Sequence, residues 1–176
     1  MDLLEGQTWV IDTSSLINVK ELVKIEFRQG IFSKLEIACN EGKLVYPIEV
    51  IAELKNGVKQ GESDPPLTWA KKNKKLGCRL GRCFDELSEV MNHPVAKLTP
   101  DANQSVGEDD ADPHVLATAL KIVSLGGNPI VVTQESRKRH PQVPLNIAAG
   151  ALGLPSINLY ALLIAINAWS DDMKVL

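Results

Sequence analysis

Four acidic residues, Asp12, Glu53, Asp112 and Glu135, are the side chains of this sequence best able to work as a chemical set. Asp12 closes the apolar run of "TWVID" and is followed by Thr13, Ser14 and Ser15. Glu53 lies inside "YPIEVIAELKNG", with Glu49 one turn earlier on the same helical face. Asp112 precedes Pro113 where a new apolar periodicity begins, and Asp109 and Asp110 stand beside it. Glu135 comes just after "PIVVT". Carboxylates gathered without cations repel one another, and an all-oxygen cluster suits Mg²⁺ or Mn²⁺. Such an ion eases deprotonation of a bound water and offsets charge building on a phosphodiester. Each acid also has a plainer reading. Asp12 and Asp112 are ordinary helix caps by position, and Glu53 and Glu135 read equally as solvated surface groups.

Convergence depends on the elements that carry these residues. The pattern predicts a buried strand over 8–12, a helix capped by Thr13 or Ser14 and running to about 20, and a second helix over 24–41 stopped by Gly42. A short strand over 43–46 precedes Pro47 and a helix over 48–58. "GESDPP" breaks the pattern, and short helices are expected over 67–75 and 82–92, then a polar loop over 99–110. Residues 112–123 read as a helix with Asp112 as N-cap and Gly126-Gly127 as its stop. A strand over 129–133, a basic loop, a short helix, a last strand at "SIN" and an apolar helix over 158–169 complete the chain. Strands alternating with helices predict a three-layer α/β/α fold around a short, mostly parallel sheet. In such sheets ligands bind beyond the C-terminal ends of strands, where Asp12 and Glu135 both fall.

In that order the acidic motifs resemble the PIN domain family, which includes VapC-type toxin ribonucleases. "VIDTSSLI" is similar to the family's first strand, with Asp12 its first acid and Ser14 the hydroxyl partner. "YPIEVIAELKNG" resembles the second motif through Glu53, Leu54 and Gly57, "DADPHVLATAL" the third through Asp112, and "IVVTQE" the fourth through Thr133 and Glu135. The ending "VPLNIAAGALGLPSINLYALL" is similar to the tail of a less characterised PIN-like bacterial group. The resemblance covers roughly residues 8–160. It implies metal-dependent hydrolysis of RNA with Mg²⁺ or Mn²⁺, pairing with a cognate antitoxin, and homodimer formation. It also implies roles: Asp12 and Asp112 as the most direct metal ligands, with Asp110 replacing or supplementing Asp112, Glu53 and Glu135 completing the shell, and Ser14 and Thr133 orienting carboxylates behind it. Two departures stand out. Many members carry Asp where this chain has Glu135, and the insert from about 60 to 108 is longer than in the compact toxins.

The totals set outer limits. The chain has 176 residues, 44% hydrophobic and 23% charged, which favours one domain over 1–176 with a single core. Three cysteines argue against a disulfide framework, and no signal-peptide pattern or bilayer-length apolar run occurs, so the expected location is cytoplasmic and without membrane contact. Net charge is −3, yet Lys71, Lys72, Lys74, Lys75, Arg79 and Arg82 place six of the 19 basic residues within one short stretch of the insert. They read as a grip for RNA phosphates or as a solvated helix face. Arg137, Lys138 and Arg139, close after Glu135, read as an RNA-backbone contact. Trp69 is expected to anchor the basic helix on the core rather than stack on a base. Cys78, Cys83 and His93 lack a fourth ligand at zinc spacing. No phosphate-binding Gly loop or nucleophile elbow occurs. The function expected is therefore a metal-dependent ribonuclease, the toxin of a toxin–antitoxin pair. The alternatives are a non-catalytic PIN-like RNA-binding or scaffolding module and a DNA- or structure-specific nuclease.

Overall fold

The computed structural model describes residues 6–59, 61–96, 110–134 and 143–175. Strand β1 (Gln7–Ile11) is followed by α1 (Thr13–Leu22) and α2 (Ile25–Asn40), then β2 (Leu44–Val45) and α3 (Ile48–Asn56). The insert contributes α4 (Pro65–Lys72), α5 (Lys74–Gly77) and α6 (Phe84–Asn92). Helix α7 (Ala111–Ser124) leads into β3 (Asn128–Val132), α8 (Leu145–Ala151), β4 (Ser156–Ile157) and α9 (Leu159–Ala165). The strands form one four-stranded sheet in the order β2-β1-β3-β4, with every pairing parallel. The expected α/β class therefore holds, and the sheet is wholly rather than mostly parallel.

Parallel strands buried on both faces must be apolar throughout. Val10, Ile11, Val131 and Val132 are each fully buried, and Val10 pairs with Val131 and Ile11 with Val132. The crossover from β1 to β2 leaves to one side of β1, and the crossover from β2 to β3 returns to the other. Right-handed connections in opposite directions put their helices on opposite faces of the sheet. The strand order thus reverses between β1 and β3, and in open parallel sheets ligands bind beyond the carboxyl ends of the strands at such a switch.

Local chemistry moved several boundaries. Asp12, not Thr13 or Ser14, caps α1: its Oδ1 accepts the Ser15 N–H at 2.7 Å. Asp110, not Asp112, caps α7, because its Oδ1 accepts the Asp112 N–H at 3.1 Å and the helix begins two residues earlier than the apolar pattern suggests. The single basic helix expected over 67–75 splits at Asn73, whose side chain turns back onto the Trp69 carbonyl at 3.0 Å. The last apolar helix stops at Ala165, where Asn167 takes a left-handed φ of 52° and Ala168 N donates to Leu163 O at 2.8 Å.

The insert is locked to the core. Trp69 is buried and its Nε1 donates to Phe32 O at 2.9 Å, the anchoring role expected for it. Tyr46, fully buried after β2, donates its hydroxyl to Ala70 O at 2.8 Å, and its N–H donates to Gly77 O at 3.0 Å. A Cβ on Gly77 would stand 2.1 Å from the Tyr46 ring, so only glycine fits there. Gly77→Ala is expected to cost about 1–3 kcal/mol through overpacking. Gly30→Ala, on an open face of α2 with nothing within 4 Å of the new Cβ, is expected to add about 0.5–1 kcal/mol. Thermal melts of the two variants check both signs.

Candidate active site

Asp12 N donates to Val132 O at 3.0 Å, continuing the β1–β3 ladder one residue past β1. That bond seats Asp12 at the carboxyl end of the sheet, beside the switch between β1 and β3. Its side chain is 1% exposed. Oδ2 accepts the Ser14 hydroxyl at 2.7 Å and the Thr133 hydroxyl at 2.6 Å, while Oδ1 takes the Ser15 N–H. Ser14 Oγ in turn accepts Gln134 N–H at 3.1 Å, and Ser15 Oγ donates to Val132 O at 3.1 Å. The Thr-Ser-Ser cluster after β1 thus bonds both the carboxylate and the neighbouring strand. Ser14 and Thr133, far apart in sequence, thus both donate to the same Asp12 oxygen.

Two more acids approach from other elements. Glu53, from the last turns of α3, accepts the Ala111 N–H at 3.3 Å with Oε1, and so meets the first turn of α7. Asp12 and Asp110 lie near enough for their charges to oppose that of Glu53, and the Thr13 hydroxyl, buried without a well-formed hydrogen bond, partly offsets this. Burial raises the carboxyl groups of Asp12 and Glu53 above their ordinary 3.8 and 4.5, and for Asp12 the three hydrogen-bond donors only partly reverse that. Asp112 occupies the second position of α7, half-buried, with its N–H on Asp110. Glu135, Arg137, Lys138 and Arg139 lie outside the described residues.

The donor chemistry of Asp12, Glu53 and Asp110 fits a hard divalent cation: oxygen only, on three elements, with like charges close together. Among the described residues, no three His, Cys, Asp or Glu side chains are disposed to hold a metal ion together.

A second feature lies one turn back along α3. Glu49, 3% exposed, meets His114 Nδ1 of α7 at 3.7 Å and Arg82 Nε at 3.4 Å. It is absent from the sequence-predicted site, and its one sequence signal is the four-residue spacing to Glu53. Arg82 opens onto a groove of about 680 Å³ beside α3. Lys71, Lys72, Lys74 and Lys75 line the same groove, so five of the six basic residues of the 71–82 stretch come together. Arg79 does not join them. Its guanidinium donates to Gly42 O beyond the end of α2, and a Cβ on Gly42 would press against it. Lys72 also pairs with Glu36 at 2.9 Å. His93 accepts the N–H groups of Val95 and Ala96 with Nδ1, at 3.2 and 3.0 Å, as a local cap. All three cysteines are free thiols. Among the described residues no helix is long and apolar enough to cross a membrane.

For an acid whose native pKa is raised, the unfolded chain releases its proton first as pH climbs. Native stability therefore falls as pH rises through the raised value. In EDTA, urea unfolding of wild type is expected to lose more stability between about pH 4 and pH 7 than Asp12→Asn, which no longer titrates there. Equal losses would show that Asp12 ionises in the native state as it does in the unfolded chain.

Compared with known protein families, residues 9–169 match the model described as "Domain of unknown function (DUF4411)". No curated protein matches the chain.

Proposed function

The chain belongs to the DUF4411 family, and we propose that it is a PIN-like, metal-dependent ribonuclease. The observation that carries this reading is the buried Asp12 carboxylate at the β1–β3 switch, with Glu53 of α3 near enough to feel the charges of both Asp12 and Asp110. A buried charge only partly compensated by neutral donors is costly to fold, and such groups cluster at functional sites. Asp12, Glu53 and Asp110, with Asp112 and Glu135, would hold Mg²⁺ or Mn²⁺. Bound there, the ion supplies a water of lowered pKa and positive charge against the phosphodiester. Ser14 and Thr133 hold the Asp12 carboxylate in one orientation, so its oxygens need not reorganise when RNA arrives. The lysine-lined groove beside α3 attracts the RNA backbone on a chain whose total charge is negative. The toxin role, a cognate antitoxin, a homodimer and a cytoplasmic location complete the reading, supported by the motif resemblance and the cysteine usage.

A second reading is a binding or scaffolding module on the same fold. It is favoured by the absence, among the described residues, of three side chains disposed to hold a metal ion. The two readings separate in one assay. Wild type and Asp12→Asn would be incubated with a mixed RNA pool containing tRNA, in Mg²⁺, in Mn²⁺ and in EDTA, with duplex DNA in parallel. The expected outcome is cleavage of RNA by wild type, lost in EDTA and reduced at least about 100-fold in Asp12→Asn. Mg²⁺ or Mn²⁺ should also raise the melting temperature of wild type and not that of the variant. RNA binding without turnover by either protein would select the binding module, and DNA cleavage alone would replace RNA as the substrate.

A further inference from the structure

The groove beside α3 holds more than a backbone grip requires. Phosphates need only cations, and a flat basic face serves them. Here the cations line a concavity of about 680 Å³, within the range of small-molecule sites. Its uncharged lining is Ile48, Cys78 and Gly81, and among the described residues no acidic side chain lines it. Burial pushes the Cys78 thiol up to about 12, so at neutral pH it is a soft, uncharged wall. Gly81, at φ 66°, has no side chain to fill the space. Among the described residues, Lys71, Lys74 and Lys75 have no carboxylate partner, so their charge is available to a ligand. Ile48 begins α3, and Glu53 lies five residues further on the same helix, about 7.5 Å along its axis. Ile48 of the groove and Glu53 of the acidic site are therefore carried by one helix.

We propose that this groove is a nucleotide subsite: the uncharged lining of Ile48, Cys78 and Gly81 seats one nucleobase, and the lysines hold the phosphates attached to it. The nucleotide is free in solution or belongs to an RNA strand running on to the carboxylates, and the second source rests on the ribonuclease reading above. A base can enter the concavity only when it is unpaired, because a duplex keeps its bases stacked and presents phosphate outward.

The test is equilibrium binding by full-length Asp12→Asn, which separates this claim from cleavage. The ligands are a short labelled oligoribonucleotide, the same strand annealed to its complement, and ADP as competitor, across a salt series. The single strand is expected to bind at least about 10-fold tighter than the duplex. Lys71→Ala with Lys75→Ala should flatten the logarithmic salt slope by about 1.4. Ile48→Ala should weaken binding about 3–10-fold at an unchanged slope, since it removes stacking surface and no charge. A strand carrying 2-aminopurine gives a readout that needs no Ile48 variant, because its emission changes when the base leaves the stack. Displacement of the strand by ADP marks a free-nucleotide site. Strand binding that ADP does not disturb marks a strand subsite, and both carry the same chemistry. Equal affinity for single strand and duplex, an unchanged affinity in a folded Ile48→Ala, or binding without change in 2-aminopurine emission would each overturn the proposal.

Discussion

Burial of the Asp12 carboxylate is the constraint around which the top of the sheet is arranged. The residue is carried to its place by β1, and the backbone bond to Val132 fixes its main chain at the end of the sheet. Its two oxygens are answered by one N–H and two hydroxyls, from α1 and from the end of β3. These donors hold its position without fully compensating its charge, since burial still raises its pKa. Hydrogen bonds to neutral donors stabilise a carboxylate less than a cation does in a site of low dielectric. The remaining stability must come from elsewhere in the fold, chiefly the fully buried Val, Ile and Leu side chains between the layers.

Helix α3 is the element through which the rest of the molecule meets that carboxylate. Pro47 starts it, with no N–H to leave unsatisfied, and the helix then faces α7 with two acids one turn apart. Glu53 reaches the first turn of α7, where the partial positive charge of the helix N-terminus favours it. Glu49 lies further along α7, against His114, and meets Arg82 at the edge of the insert. The buried Glu49 carboxylate thus ties the insert, through Arg82, to α3 and α7. The position of the basic groove relative to the acids is therefore set by packing on both sides. Gly77 lies against Tyr46 on one, and Arg82 against Glu49 on the other.

Much of this was legible in the sequence because it is local. The apolar runs, the Pro47 start and the alternation of strands and helices depend on neighbours within a few residues, and the expected α/β order follows from them. Cap positions were less legible. A run such as Asp109-Asp110-Ala111-Asp112 offers three competent caps, and the choice falls to whichever side chain meets an N–H at bonding distance. The split at Asn73 was illegible for a related reason: a side chain bonding back to its own helix leaves no periodic trace.

The sequence by itself determined the parts: a strand ending in Asp12, hydroxyls directly after it, a Glu-bearing amphipathic helix, an acid-led helix and a lysine-rich insert. Tertiary structure alone decided which parts meet. It set Thr133 against Asp12 across 121 residues of chain, gathered five of the insert's basic side chains into one groove, and turned Arg79 away to cap a carbonyl. It also paired Glu49 with His114. The physical reason is that local propensity depends on backbone conformation over a few residues. Convergence of charges depends on crossover handedness and close packing, which bring together side chains distant in sequence.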